Sequence, residues 1–144
     1  PLLLLGPQCR DPQVGRVRHL VVCVDHTEAS ATAVDLAAGW AEATGANATV
    51  VYRYGRDEIV ANVDELILPL VASCPIVEKL AIAEDAYLDG VLGIVQGSST
   101  AMVATAWSPT AGFGHQRHDP FLSQLSLRSP VPILVRHPPR VGRR

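Results

Sequence analysis

The stretch from Val17 to Tyr54 constrains the fold more than any other part of this chain. Val17–Asp25 (VRHLVVCVD) is an apolar, β-branched run that ends in the turn-like cluster Asp25-His26-Thr27. Unbroken hydrophobicity over that length reads as a strand buried on both faces, which is the condition inside a parallel sheet. Glu28–Thr44 contains no Pro, places Ala33, Val34, Ala37, Trp40 and Ala41 at helical spacing, and stops at Gly45. Ala48–Tyr54 (ATVVYRY) is a second strand. A strand, a helix and a strand in so few residues form a right-handed βαβ unit.

The pattern repeats down the chain. Arg56–Leu68 reads as a helix ended by Pro69, Cys74–Ala83 as a strand, and Asp85–Gln96 as a helix with Tyr87, Leu88, Val91, Leu92 and Val95 on one face. Ala101–Trp107 is a further strand. Ser108–His118 is expected to be a loop, Pro120–Arg128 a short helix, and Val131–Arg136 the last strand. The alternation predicts an α/β fold: a five-stranded parallel Rossmann-like sheet, doubly wound, with helices on both faces.

Composition narrows the function classes. The formal net charge is −2 and the 12 basic residues are scattered, apart from Arg140, Arg143 and Arg144 near the end, so no nucleic-acid partner is expected. No apolar run approaches the roughly 18 residues of a membrane span, and Leu2–Leu5 is too short for a signal peptide. Cys9, Cys23 and Cys74 form no CxxC pair, which suggests a reducing cytoplasm with Cys23 and Cys74 as small apolar core residues. The chain begins with Pro1 and has Met102 as its only Met, as expected for a piece of a longer product. Pro1-Leu2-Leu3-Leu4-Leu5 echoes Pro132-Ile133-Leu134-Val135, each followed by a linker containing Pro and Arg. The echo suggests three segments: 1–16 as the last strand of a preceding copy plus its linker, 17–136 as the domain proper, and 137–144 as a flexible tail.

The strand-turn-helix VVCVDHTEASATAVDLAAGWAEATGANATVVY and the closing SPVPILVR resemble the opening and the ending of the universal stress protein (UspA) family. The resemblance runs from Val17 to about Arg136 and is weak from Arg56 to Gly97. It implies ATP at the carboxyl ends of the strands, with the phosphates held by Gly-x2-Gly-x9-Gly-Ser/Thr at a helix N-terminus, where glycines admit close approach and free N–H groups face the anion. Counted back from Pro132, those positions fall on Ala106, Pro109, Asp119 and Pro120, so all four are changed. Asp119-Pro120 is instead a good helix start, and its carboxylate would repel a triphosphate. The resemblance therefore implies a non-enzymatic stress-response domain with no bound cofactor, lacking the family's mode of ATP binding. Its expected partner is itself or an adjacent homologous domain, met through the last strand with Leu2, Leu3, Leu4 and Leu5 against Ile133, Leu134 and Val135.

Two alternatives stay open. One is a nucleotide-binding switch with an altered site built from Asp25, His26, Arg53, Ser108, Thr110, Gly112 and Gly114. In it Asp25 and Arg53 would line the adenosine side, although Asp25 can equally order the turn before the first helix, and Arg53 can stack on a base or pair with Asp25. The other is a small nucleotide-processing enzyme, for which no nucleophile-elbow pattern is present. His115, His118 and Asp119 have a spacing open to a metal, but a loop pair of this kind reads as polar surface, and no metal is expected.

Overall fold

The computed structural model describes residues 1–9, 16–25, 29–54, 63–107, 110–111 and 117–136. In chain order the elements are β1 (Leu2–Leu4), β2 (His19–Val24), α1 (Ala29–Thr44), β3 (Asn47–Tyr54), α2 (Val63–Leu66), α3 (Leu68–Ser73) and β4 (Val77–Ala83). A 3-10 turn, Glu84–Ala86, leads into α4 (Tyr87–Val95). Then come β5 (Ala101–Ala106), β6 (Thr110–Ala111), β7 (Arg117–His118), α5 (Pro120–Arg128) and β8 (Ile133–Arg136).

The principal sheet runs β1-β8-β5-β2-β3-β4. From β8 to β4 every pair is parallel. The chain moves outward from β2 in one direction to β3 and β4 and in the other to β5 and β8, so the order reverses between β2 and β5. Side chains of β2 and β3 point alternately into two cores. Leu20, Val22, Val24, Ala48 and Val50 pack with Val34, Ala37 and Ala41 of α1 and Leu70 of α3. Val21, Cys23 and Val51 pack with Tyr87, Val91 and Val95 of α4 and Leu125 of α5. This double burial is why those strands read as continuous apolar runs. Gly45 and Gly97 end α1 and α4 with φ of 72° and 79°, the left-handed conformation that a side chain disfavours.

Four expectations need correction. The sheet has six strands, not five, because β1 adds antiparallel to β8 with Leu2, Leu3 and Leu4 opposite Val135, Leu134 and Ile133. Pro69 does not end a helix; it lies in the first turn of α3, where the missing N–H has no intrahelical partner to lose. The segment expected to be a loop contributes two short antiparallel strands, with Thr110 and Ala111 of β6 opposite His118 and Arg117 of β7. The strand expected from Cys74 starts only at Val77.

At the amino end of the sheet, His19 Nε2 lies 2.9 Å from Thr49 Oγ1. Burial holds the His19 imidazole below its ordinary pKa, and the carboxylate of Glu78 partly opposes this. A lowered pKa in the folded state means that both states are neutral above about pH 6.5. As the pH falls through that value the unfolded chain takes up the proton first, so stability declines until the pH passes the folded value. Denaturation midpoints measured from pH 8 to pH 5 should fall more steeply for the wild type than for His19→Gln. Parallel curves would assign the acid sensitivity elsewhere.

Candidate functional site

In an open α/β sheet the crevice lies where the strand order reverses, outside the carboxyl ends of the strands. Here that place is framed by Asp25 after β2, Arg53 near the end of β3, Ala106 and Trp107 at the end of β5, and the start of α5. Trp107 N–H donates to the Arg136 carbonyl at 3.2 Å, closing the gap between the ends of β5 and β8.

Asp25 is tied into the strand-to-helix turn. Its N–H donates to Ser30 Oγ at 2.7 Å, and the Ser30 hydroxyl stands 2.9 Å from Asp25 Oδ1 as donor. Ser30 is itself buried in the first turn of α1. The pair fixes the direction in which α1 leaves β2, which is the turn-ordering role open to Asp25 from sequence.

Arg53 lies against two aromatic rings. Its guanidinium carbon lies 4.6 Å from the centroid of the Tyr87 ring and 5.1 Å from that of Phe121. The two rings are tilted against each other with centroids 5.2 Å apart. Cation–π attraction of this kind contributes about 0.5–2 kcal/mol, more as water is excluded. Arg53 Nε is sealed from solvent and has no hydrogen-bond partner among the described residues. Tyr87, at the start of α4, donates its hydroxyl to the Val51 carbonyl at 2.6 Å. Beneath it, burial pushes the Cys23 thiol up to about 12, with the nearby Tyr87 hydroxyl and Arg53 charge pulling the other way. Cys23 is thus a protonated core residue and no nucleophile. Burial likewise raises the Tyr87 hydroxyl well above its ordinary value.

At the start of α5, Asp119 is the N-cap and Pro120 the first helical residue. The Leu122 N–H donates to Asp119 Oδ1 at 3.0 Å, and Asp119 is 9% exposed. A carboxylate therefore already occupies the position where an anion would draw on the free N–H groups and the positive end of the helix dipole. The Arg53 guanidinium with its two aromatic rings and the Asp119 cap thus lie at the same end of the sheet.

Of the residues singled out from sequence, the structure brings Asp25, Arg53, Ala106, Asp119 and Pro120 to this end of the sheet. His26, Ser108, Pro109, Gly112 and Gly114 lie outside the described residues, and Thr110 is described only as part of β6. Leu2–Leu4 and Ile133–Val135 meet at the β1–β8 edge. Among the described residues no group of three or more His, Cys, Asp or Glu side chains is placed to hold a metal. Sequence reasoning missed Ser30 and Phe121 and gave Tyr87 only a core role. The available signals were a hydroxyl in the first turn of α1 and an aromatic directly after the helix-starting Pro120.

The fold and the crevice define a doubly wound α/β domain of the Rossmann-like class, built around five parallel strands. More particularly, it is the fold of the universal stress proteins. One similar structure is a universal stress protein in complex with cAMP, at a TM-score of 0.63 and 17% identity, covering 85% of this chain and 98% of that one. The universal stress protein UspA from Lactobacillus plantarum aligns at a TM-score of 0.61 and 14% identity, over 83% of this chain and 97% of that one. A universal stress protein from Archaeoglobus fulgidus aligns at 0.63 and 12% identity, with the same shares covered. No family model and no curated protein matches the sequence. Among the described residues no helix is long and apolar enough to cross a membrane.

Proposed function

We propose that this chain is a universal-stress-protein-like regulatory domain of the cytoplasm, without covalent chemistry of its own and without bound ATP. In this reading it acts by association through its last strand, with itself or with an adjacent homologous domain of which residues 1–16 are the final strand and linker. The observation that carries the loss of ATP binding is the Asp119 cap. Its side chain takes the Leu122 N–H at 3.0 Å, so a phosphate would have to displace a carboxylate and then sit beside it. Ala106 at the end of β5 and Pro120 at the start of α5 remove the small, flexible positions such a loop needs.

Thermal unfolding with ATP, AMP and cyclic AMP at millimolar concentration should leave the midpoint unchanged. Changing Ala106, Pro109 and Asp119 to Gly and Pro120 to Ser should then create a midpoint rise of several degrees with ATP, because a ligand that binds only the folded state stabilises it by mass action. A folded revertant that still ignores ATP would show that the phosphate loop does not map onto these positions.

Two observations favour a second reading, a nucleotide-responsive switch with an altered site: Arg53 Nε is buried without an acceptor among the described residues, and a structurally similar protein is in complex with cAMP. A rise of several degrees with AMP or cyclic AMP in the unmodified chain, lost in Arg53→Met, would decide for it.

A further inference from the structure

Arg53, next to last in β3, carries a charge that the packing leaves short of an acceptor. A guanidinium is a planar fork of N–H donors that keeps its charge, and such donors normally meet an acceptor once water is taken away. Arg53 Nε is sealed from water, and no described residue accepts its hydrogen. Leaving a charged donor unpaired in this way is costly. The residue as a whole is only partly buried, so the outer part of the fork can still be reached from outside.

The fork is nonetheless held in place. Its central carbon stands 4.6 Å from the centroid of the Tyr87 ring and 5.1 Å from that of Phe121. Tyr87 is fixed by its hydroxyl bond to the Val51 carbonyl at 2.6 Å. Phe121 follows directly on the Asp119-Pro120 start of α5. Rings attract the cation through their faces, but they offer its N–H groups no lone pair. An arginine positioned by rings and lacking an acceptor is prepared for one that arrives with a ligand.

Nearby carboxylates narrow the class of that ligand. Asp25 and Arg53 each directly follow the Val24–Tyr52 pair of β2 and β3, neighbouring strands about 4.8 Å apart. Asp119 caps the same helix turn that carries Phe121. Every further negative charge on a ligand is repelled by both groups. A lone carboxylate matches the fork with two parallel bonds and brings the least charge.

We infer that Arg53, held against Tyr87 and Phe121, receives the carboxylate of a small organic acid bearing one negative charge. Nε and a terminal nitrogen donate the two bonds, and a small turn of the side chain opens Nε to the ligand. The inference needs neither a nucleotide nor a phosphate loop.

Titration of the whole chain with sodium benzoate at constant ionic strength, followed by NMR of the Arg53 side-chain Nε–H, should move that proton downfield to a plateau. Sulfate should leave it in place. Arg53→Lys keeps the charge but loses the fork, so benzoate affinity read from the Val51 and Tyr87 amide shifts should fall about tenfold or more. The Nε–H signal reports on the wild type itself, so the outcome stands even if the variant does not fold. An unmoved signal, an equal or larger response to sulfate, or a folded Arg53→Lys that binds as wild type would each overturn the inference. A chain that answers AMP or cyclic AMP but not benzoate would do the same while upholding the nucleotide reading, so the two fail separately.

Discussion

Replacing Tyr87 with Ala should be the most damaging single change near the crevice, lowering stability by about 3–5 kcal/mol. Tyr87 is 2% exposed and joins three elements. Its ring packs in the α4–α5 core, its hydroxyl reaches the Val51 carbonyl of β3, and its face carries the Arg53 guanidinium. Truncation would open a cavity, free the carbonyl and leave the guanidinium with Phe121 alone. Tyr87→Phe separates these contributions. It keeps the ring and removes only the O–H donor, so it should cost about 1 kcal/mol. Equilibrium denaturation of the two variants gives the split directly. A Tyr87→Ala protein within about 1 kcal/mol of wild type would mean that the site collapses around the missing ring, and that Tyr87 does not hold the end of β3 against α4.

The same residue shows how far the sequence could be read. Its place on the apolar face of a helix was legible from spacing, because burial against one core imposes a helical period. That its ring would receive Arg53, more than thirty residues earlier, was not, since only the parallel packing of β3 beside β2 brings those residues together. The parallel sheet was visible in the unbroken apolar runs of β2, β3 and β5. Edge strands were less legible. Strand β4 carries Glu78 and Lys79 at exposed positions, Lys79 paired to Asp64 of α2, so its pattern is not that of a buried strand. Pro69 was misread because proline is equally at home just after one helix and in the first turn of the next, and only the break at Ile67 separates α2 from α3. The cap at Asp119 was legible in full, because N-cap chemistry is local: an acceptor side chain, then proline, then a helix.

That cap sets the second large expected effect. Asp119→Ala should destabilise the domain by about 1–2 kcal/mol, the usual loss when an N-cap acceptor is removed. Asp119→Asn keeps an oxygen within reach of the Leu122 N–H and should stay close to wild type, although it lacks the charge. Comparing the two separates the hydrogen bond from the interaction of the carboxylate with the helix dipole, which contributes about 0.3–1 kcal/mol at exposed positions and more when partly buried. The functional consequence follows from the same geometry. With Asp119→Ala the first N–H groups of α5 lose their internal acceptor, so millimolar phosphate should restore part of the lost stability, against a chloride control at equal ionic strength. Wild type, whose carboxylate already fills that role, should not respond. Equal responses from both proteins would mean that the Asp119 carboxylate does not stand in for an anion at the start of α5.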